Sequence, residues 1–164
     1  MSGLLYERNQ IFYDRQTDSL WSQLLSEAVA GPLAGSRLSV LPARNMTWGE
    51  WRKEHPGTLV MSFQTGYPMN YSTDPYADYP LDRRLALFVA AGGKAKIYPF
   101  SRLKKEASPV VDRVGDVRVK ILFDRQTQTA EVEAEDSAQV TSFVSFLHGL
   151  RSFYPKAEIY GARH

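Results

Sequence analysis

Residues 117–135 read VRVKILFDRQTQTAEVEAE, and this stretch decides the fold class. Apolar and polar side chains alternate along both arms, which is the pattern of strands with one buried and one exposed face. Between the arms, the carboxylate of Asp124 can accept backbone N–H groups from the residues that follow, as the first position of a turn requires. The stretch predicts an antiparallel hairpin that buries Val117, Val119, Ile121, Phe123, Ala130, Val132 and Ala134.

The same turn sequence occurs a second time near the N-terminus. FYDRQT at residues 12–17 returns as LFDRQT at residues 122–127, which is 110 residues further along the chain. A repeat of this kind indicates two segments with one local plan. We expect residues 10–14 to pair with residues 19–23 and Trp21 to lie on the buried face.

A short helix, a proline and a strand are predicted after the first hairpin. Thr47 and Glu50 form a capping box, in which the hydroxyl and the carboxylate satisfy backbone amides at the start of a helix. The helix must end before Pro56, and residues 59–63 then resemble a strand. Trp48 and Trp51 lie on one face of this helix, where we expect them to be part of the core.

A similar unit is predicted after the second hairpin. An apolar stripe over residues 143–154 is typical of a helix, Pro155 ends it, and residues 157–160 again resemble a strand. The two helix and proline units lie 99 residues apart, whereas the two hairpins lie 110 apart. Insertions explain that difference if the halves are related, and chance similarity of a short pattern is the alternative.

A third hairpin is predicted at residues 85–98, where Gly92-Gly93 supplies the positive φ values of a two-residue turn. A short strand is expected at 38–41 and one helical turn at 101–106. These elements predict the fold class α+β, with mostly antiparallel hairpins that form a sheet or a partly closed barrel, and with two short helices.

The preferred organisation is a single domain spanning residues 1–164. It has related halves at 4–63 and 94–161, and two independent domains are the alternative.

A loop rich in tyrosine, proline and aspartate occupies residues 66–84, between the halves. Loops of this length in a compact domain are typically functional or disordered, and the aromatic content favours order. A tyrosine offers a flat apolar face and a hydroxyl, so the loop can hold a sugar, a peptide or an anionic small molecule. Alternatively, the rings only cover the sheet. The candidate ligand-binding residues are Tyr67, Tyr71, Asp74, Tyr76, Tyr79 and Arg83.

Two classes of function are compatible with this loop. The leading hypothesis is a non-catalytic module that binds a small molecule or a protein partner through it. The competing hypothesis is a hydrolase that uses Asp74, Tyr76 and Arg83, which would have to converge in a concave pocket. Pairing of two copies through an edge strand such as residues 38–41 is a third hypothesis.

Composition excludes several other classes. The chain has no cysteine, which removes disulfides, zinc–cysteine sites, iron–sulfur clusters and thiol catalysis. The formal charge is only +2, and the glutamates at 131, 133 and 135 offset the basic residues among the aromatics at 94–105, so we do not expect a nucleic-acid partner. The three histidines are far apart and form no short ligand pair, and we expect no metal or cofactor. No apolar stretch approaches the ~20 residues of a membrane-spanning helix.

Several motifs together resemble an uncharacterised prokaryotic family, the domain of unknown function 3179. The resemblance implies no specific activity. It suggests a location outside the cytoplasm, because family members often carry export signals or lipid anchors, and it implies that this chain starts later than its relatives, which usually have a preceding module with a cysteine motif. The motifs are SGLLY at 2–6, YDRQT at 13–17, SLWSQ at 19–23, GPLAG at 31–35, Thr47-Trp48 with Trp51, His55-Pro56, TGY at 65–67, DPY at 74–76 and KIYPF at 96–100.

Overall fold

The computed structural model describes residues 3–7, 9–41, 43, 45–62, 64, 66, 84–135 and 138–162. Antiparallel strand pairs dominate them and three short helices occur, one more than predicted, which confirms the α+β fold class. The strands form four sheets, and none closes into a barrel within the described part of the chain. The strands are β1 (Leu5–Tyr6), β2 (Asn9–Gln10), β3 (Phe12–Tyr13), β4 (Leu20–Ser22), β5 (Glu27–Ala30), β6 (Leu85–Ala91), β7 (Lys94–Pro99), β8 (Val110–Val114), β9 (Val117–Asp124), β10 (Thr129–Ala134), β11 (Thr141–Phe146) and β12 (Glu158–Ile159). The helices are α1 (Trp48–Glu54), α2 (Phe100–Leu103) and α3 (Leu147–Phe153).

The four-stranded sheet has the order β11-β6-β7-β12. At its centre, β6 and β7 form the hairpin predicted for residues 85–98, and Gly92 and Gly93 turn it with φ values of 55° and 71°. β11 pairs antiparallel with β6, and β12 pairs parallel with β7. The central hairpin is therefore protected on both edges.

The two faces of this sheet bury different side chains, because successive residues of a strand point to opposite sides. Leu87, Val89 and Tyr98 pack against the three-stranded sheet β10-β9-β8. Phe88 and Ile97 face the other way, towards Leu150 of α3, which is fully buried. The sheet thus lies between a second sheet and a helix.

The second hairpin agrees with its prediction. β9 and β10 pair from Asp124 opposite Thr129 to Val119 opposite Ala134. Of the residues predicted to be buried, Val119, Ile121, Phe123 and Ala130 are buried, whereas Val117, Val132 and Ala134 are half-buried. The first hairpin is shorter than predicted, since only Phe12 and Tyr13 pair with Trp21 and Leu20. Trp21 is half-buried rather than buried.

The turns of the two hairpins share their hydrogen bonds. The Asp14 carboxylate accepts the backbone N–H groups of Gln16 and Thr17 at 3.0 and 2.7 Å. The Asp124 carboxylate accepts the equivalent groups of Gln126 and Thr127 at 2.6 and 3.1 Å. This likeness is local, and the relation between the halves 4–63 and 94–161 stays a prediction.

The capping box of α1 is confirmed. The Thr47 hydroxyl accepts from the Glu50 amide at 3.3 Å, and the Glu50 carboxylate accepts from the Thr47 amide at 2.9 Å. α1 has no buried residue, however, and Trp48 and Trp51 are 48% and 39% exposed. The expectation that both tryptophans are part of the core is therefore wrong, because no described sheet packs closely against this helix.

Three predicted elements differ from the structure. The helix predicted over residues 143–154 begins only at Leu147, because residues 141–146 pair with β6 as strand β11. Residues 59–62 pair with no strand among the described residues, and residue 63 lies outside these. Residues 158–159, by contrast, pair with β7 as strand β12. Residues 38–41 are not a strand either, since pairing there stops at a single bridge between Arg37 and Glu27.

Within the described residues, no helix is both long and apolar enough to cross a membrane.

Candidate functional site

The loop residues selected from the sequence lie outside the described residues. This applies to Tyr67, Tyr71, Asp74, Tyr76, Tyr79 and Arg83, so the structure does not test the loop as a site. The described chain resumes at Arg84, whose carbonyl accepts a hydrogen bond from the Leu147 amide at 2.8 Å. The C-terminal end of the loop is thereby fixed to the start of α3.

A cleft of about 800 Å³ lies on the face of the four-stranded sheet that α3 covers. α3 has seven residues and is about 10 Å long, whereas the seven residues of β6 span about 23 Å. The helix therefore covers only part of this face. We call the uncovered part, next to the Gly92-Gly93 turn, the alanine cleft.

The floor of the alanine cleft is a row of small side chains. Thr141, Ala90 and Ala95 are direct neighbours across β11, β6 and β7. The adjacent row on the same face consists of Phe143, Phe88 and Ile97, which are large. Cross-strand partners lie on the same face of a sheet, so each row forms a continuous strip of surface. The cleft lies over the row of small side chains, because these rise less far from the sheet than the large side chains of the adjacent row.

An aromatic wall separates the alanine cleft from the core under α3. The Phe88 ring lies 4.2 Å from the Tyr154 ring and 4.9 Å from the Phe143 ring, between centroids. The Tyr154 hydroxyl donates a short hydrogen bond to the Leu24 carbonyl, and burial raises the pKa of Tyr154. These contacts hold the wall in one orientation before any ligand arrives.

The rim of the cleft is polar. Lys156 borders it after Pro155, whereas Lys94 lies at the hairpin turn with its stem over Gly115, on the face of the sheet away from the cleft. Gln139 and Thr141 lie on the β11 side. The described lining residues include no carboxylate and no histidine, and the Tyr154 hydroxyl is already bonded to the Leu24 carbonyl.

A second polar cluster joins the two sheets. The Lys96 ammonium lies 2.8 Å from the Asp112 carboxylate and 3.5 Å from the Glu158 carboxylate. Tyr98 donates to Asp112 at 3.0 Å, and burial together with that nearby negative charge raises the pKa of Tyr98. The partners of this cluster satisfy one another, which is typical of a structural link between β7, β8 and β12.

An apolar groove of about 510 Å³ lies beside the first hairpin and is lined by Phe12, Tyr13, Trp21 and Leu33. Among its described lining residues, the single carboxylate is that of Asp14, which accepts from the Trp21 indole at 2.9 Å and from the Thr17 hydroxyl at 2.7 Å, besides two backbone amides. A carboxylate has about four acceptor positions, and these four bonds fill them. Asp14 therefore stabilises the turn, as the sequence predicted.

A family model described as "Protein of unknown function (DUF3179)" matches residues 1–91, which is more than half of the chain. The chain belongs to this family. The DUF3179 match includes α1, the tyrosine-rich loop and β6, but it ends before the KIYPF motif at 96–100. No curated protein and no solved structure gave a significant match.

Most of the alanine cleft lies beyond the DUF3179 match, on β7, β11 and the end of α3. The sequence patterns did not predict this cleft. A signal was present, since Phe88 is followed by Ala90 and Ala95 by Ile97 on one face of the predicted hairpin. It could not be interpreted while residues 143–146 were assigned to a helix, because the third strand of the floor, at residues 141–146, was then missing.

Proposed function

We propose that this DUF3179 chain is a non-catalytic binding module and that the alanine cleft is its small-molecule site. The observation that carries the proposal is the row Thr141, Ala90 and Ala95 beside a wall of fixed aromatic rings. A volume of about 800 Å³ is within the usual range for ligand pockets. The apolar floor and wall suit a flat apolar ligand body.

The tyrosine-rich loop remains a second proposed binding surface of the same module. Its candidate residues, such as Tyr76 and Arg83, have the chemistry to contact a small molecule or a protein. The hydrolase alternative rests on Asp74, Tyr76 and Arg83, since the described lining of the alanine cleft holds no carboxylate and no histidine. Loss of hydrolytic turnover in Asp74→Asn, with ligand binding retained, would favour the enzyme.

The fluorescent probe N-phenyl-1-naphthylamine tests the cleft, because it is flat, apolar and uncharged at neutral pH. At about 0.3 kcal/mol for each of its roughly 17 non-hydrogen atoms, a well-formed site gives about 5 kcal/mol, or a Kd on the order of 0.2 mM. We expect an increase in fluorescence that saturates near this concentration or below it.

The variant Ala95→Leu places a larger side chain on the floor of the cleft and should weaken probe binding at least about tenfold. The control Ala107→Leu makes the same change at an exposed residue outside the cleft and should bind like the wild type. Circular dichroism and thermal unfolding establish that both variants are folded. Equal binding by wild type and a folded Ala95→Leu variant would overturn the proposal.

A further inference from the structure

We infer that the outer edge of β11 binds an extended, uncharged peptide segment of another protein, which joins the four-stranded sheet as a further strand. This surface goes beyond the proposed function, since the alanine cleft and the groove beside the edge share no described lining residue. Two separate observations carry the inference. One is the direction of the β11 backbone groups, and the other is the groove that α1 forms next to them.

The backbone of β11 bonds to β6 with only every second residue. The Leu147 amide donates to the Arg84 carbonyl at 2.8 Å, directly beyond the last pair of the β11–β6 ladder. Hydrogen-bonded and non-hydrogen-bonded pairs alternate along an antiparallel ladder. Counting back from Leu147, the N–H and C=O groups of Phe146, Val144 and Ser142 therefore point away from β6, towards the outer edge of the sheet.

This outer edge pairs with no strand in the described part of the chain. β11 is the first strand in the order β11-β6-β7-β12, and no described residue forms a backbone hydrogen bond with Ser142, Val144 or Phe146 across the edge. Such an edge presents positive N–H and negative C=O groups in alternation, at the spacing of a β-strand. The backbone of another extended chain has the charges that complement it.

A groove of about 650 Å³ lies beside this edge. Ser142, Phe143 and Val144 line it from the sheet, and Trp48 and Trp51 line it from α1. Its described lining includes no residue of β6, which places the groove next to the edge of the sheet and not over its face. A chain in the groove would contact both the β11 backbone and the indole rings.

The two tryptophans of α1 offer apolar surface that the described fold does not bury. Both are exposed. The Trp51 indole donates to the Thr58 hydroxyl at 2.9 Å, and its ring lies 4.0 Å from the His55 ring, between centroids. These contacts fix the orientation of Trp51 before a partner binds. Burial of large aromatic side chains contributes much of the affinity at protein interfaces, so the rings would hold an apolar side chain of the peptide.

The groove favours a neutral peptide over a charged one and over a second copy of this chain. None of its described lining residues is charged, so a charged side chain would lose water without gaining a counter-charge. The six residues of β11 form an edge about 20 Å long and one strand wide. This edge alone does not bury the ~1,200 Å² of a stable dimer, whereas a short peptide can bind through main-chain hydrogen bonds.

An acetylated and amidated hexapeptide of alternating threonine and valine is the probe, because it is uncharged and favours the extended conformation. In ¹H–¹⁵N spectra we expect saturable shifts at the amides of Ser142, Val144 and Phe146 and at the indole groups of Trp48 and Trp51, with a Kd on the order of 1 mM or tighter. The same peptide with every backbone nitrogen methylated has no N–H donors and should bind at least about tenfold more weakly.

The variant Ser142→Pro removes an outward N–H and leaves the bonds to β6, since an edge strand tolerates proline on its free side. It should weaken peptide binding at least about tenfold, whereas the control Ser142→Ala keeps the N–H and should bind within about twofold of the wild type. Trp48→Ala, at an exposed residue of α1, should weaken binding at least about threefold. Circular dichroism establishes that the variants are folded.

The absence of peptide binding overturns the inference, and so does equal binding of the methylated peptide. Binding that a folded Ser142→Pro variant does not weaken overturns it as well. If Ser142→Pro does not fold, unchanged binding by Trp48→Ala has the same meaning. Sedimentation equilibrium tests for a second copy at the edge, since a wild-type dimer that Ser142→Pro converts to a monomer would also contradict the peptide as the partner.

Discussion

At the scale of single residues, all acceptor positions of the Asp14 carboxylate are occupied by hydrogen bonds within the protein. Its four hydrogen bonds come from Trp21, Thr17 and Gln16, and they lower the pKa of Asp14 to about 2, with the Trp21 indole as the largest cause. Asp124 lacks a tryptophan partner, and the backbone amides of Thr127 and Gln126 are the main causes that lower its pKa. The turn geometry alone accounts for both carboxylates.

The Asp14 carboxylate makes the first hairpin sensitive to acid. Because the pKa of Asp14 is lower in the folded state than its ordinary value of 3.8, the carboxylate stabilises the fold above about pH 4, and this contribution is lost as the pH falls through about 2. We expect the Trp21 indole N–H resonance to titrate with a midpoint near pH 2. The Trp51 indole, which donates to Thr58 at 2.9 Å, is the internal control. A Trp21 midpoint near 4 would contradict the hydrogen-bond network.

Gly31 and Gly35 lie in one turn and allow two effects of an added side chain to be compared: backbone strain at positive φ, and a steric clash with a neighbouring residue. Both have positive φ values, 91° and 86°, but a Cβ at Gly31 would lie 2.7 Å from the Cα of buried Ser19, whereas a Cβ at Gly35 would meet nothing within 4 Å. We expect Gly35→Ala to lower the free energy of unfolding by ~1–2 kcal/mol and Gly31→Ala to cost at least ~1 kcal/mol more. Urea unfolding measures both, and equal costs would refute the close approach to Ser19.

At the scale of elements, α1 and α3 are alike in backbone and different in burial. Both have seven residues, and their C-cap residues have nearly the same backbone angles. His55 has φ −129° and ψ 68°, and Tyr154 has φ −126° and ψ 62°. Leu150 of α3 is fully buried on the four-stranded sheet, whereas Trp51, at the matching position of α1, is 39% exposed.

This difference predicts unequal costs of truncation. Leu150→Ala should lower the free energy of unfolding by ~2–5 kcal/mol, because it opens a cavity between α3 and the sheet. Trp51→Ala should cost less than ~1.5 kcal/mol, since it removes a partly exposed ring and its hydrogen bond to Thr58. Chemical denaturation monitored by far-ultraviolet circular dichroism compares the two. A larger cost for Trp51→Ala would mean that α1 is packed against more of the protein than the described contacts show.

Local patterns predicted the elements whose stabilising contacts are near in sequence. The two aspartate turns, the diglycine hairpin and the capping box of α1 depend on residues within a few positions of one another, and each was predicted correctly. Elements that depend on distant partners were predicted less well. Residues 143–146 begin a helical apolar stripe but belong to a strand over residues 141–146, because β6 offers an edge. Residues 59–62 resemble a strand but pair with no described strand.

At the scale of the whole molecule, the alanine cleft is formed by the packing of a helix on a sheet and not by residues that are close in sequence. The cleft needs β11, β6 and β7 side by side and a helix too short to cover them, and no local stretch contains that information. The sequence could therefore predict the hairpin that supplies Ala90 and Ala95 but not the cleft above them. For the tyrosine-rich loop the situation is the opposite. Its composition predicts a binding site from the sequence, but its candidate residues lie outside the described residues.

Binding of a small molecule in the alanine cleft is tested by amide chemical shifts in ¹H–¹⁵N spectra during a titration with N-phenyl-1-naphthylamine. We expect the largest shifts at Ala90, Ala95, Thr141 and Tyr154, with little change along β8, β9 and β10 on the far side of the sheet. Shifts confined to the groove beside the first hairpin, or spread evenly over the sheets, would contradict it.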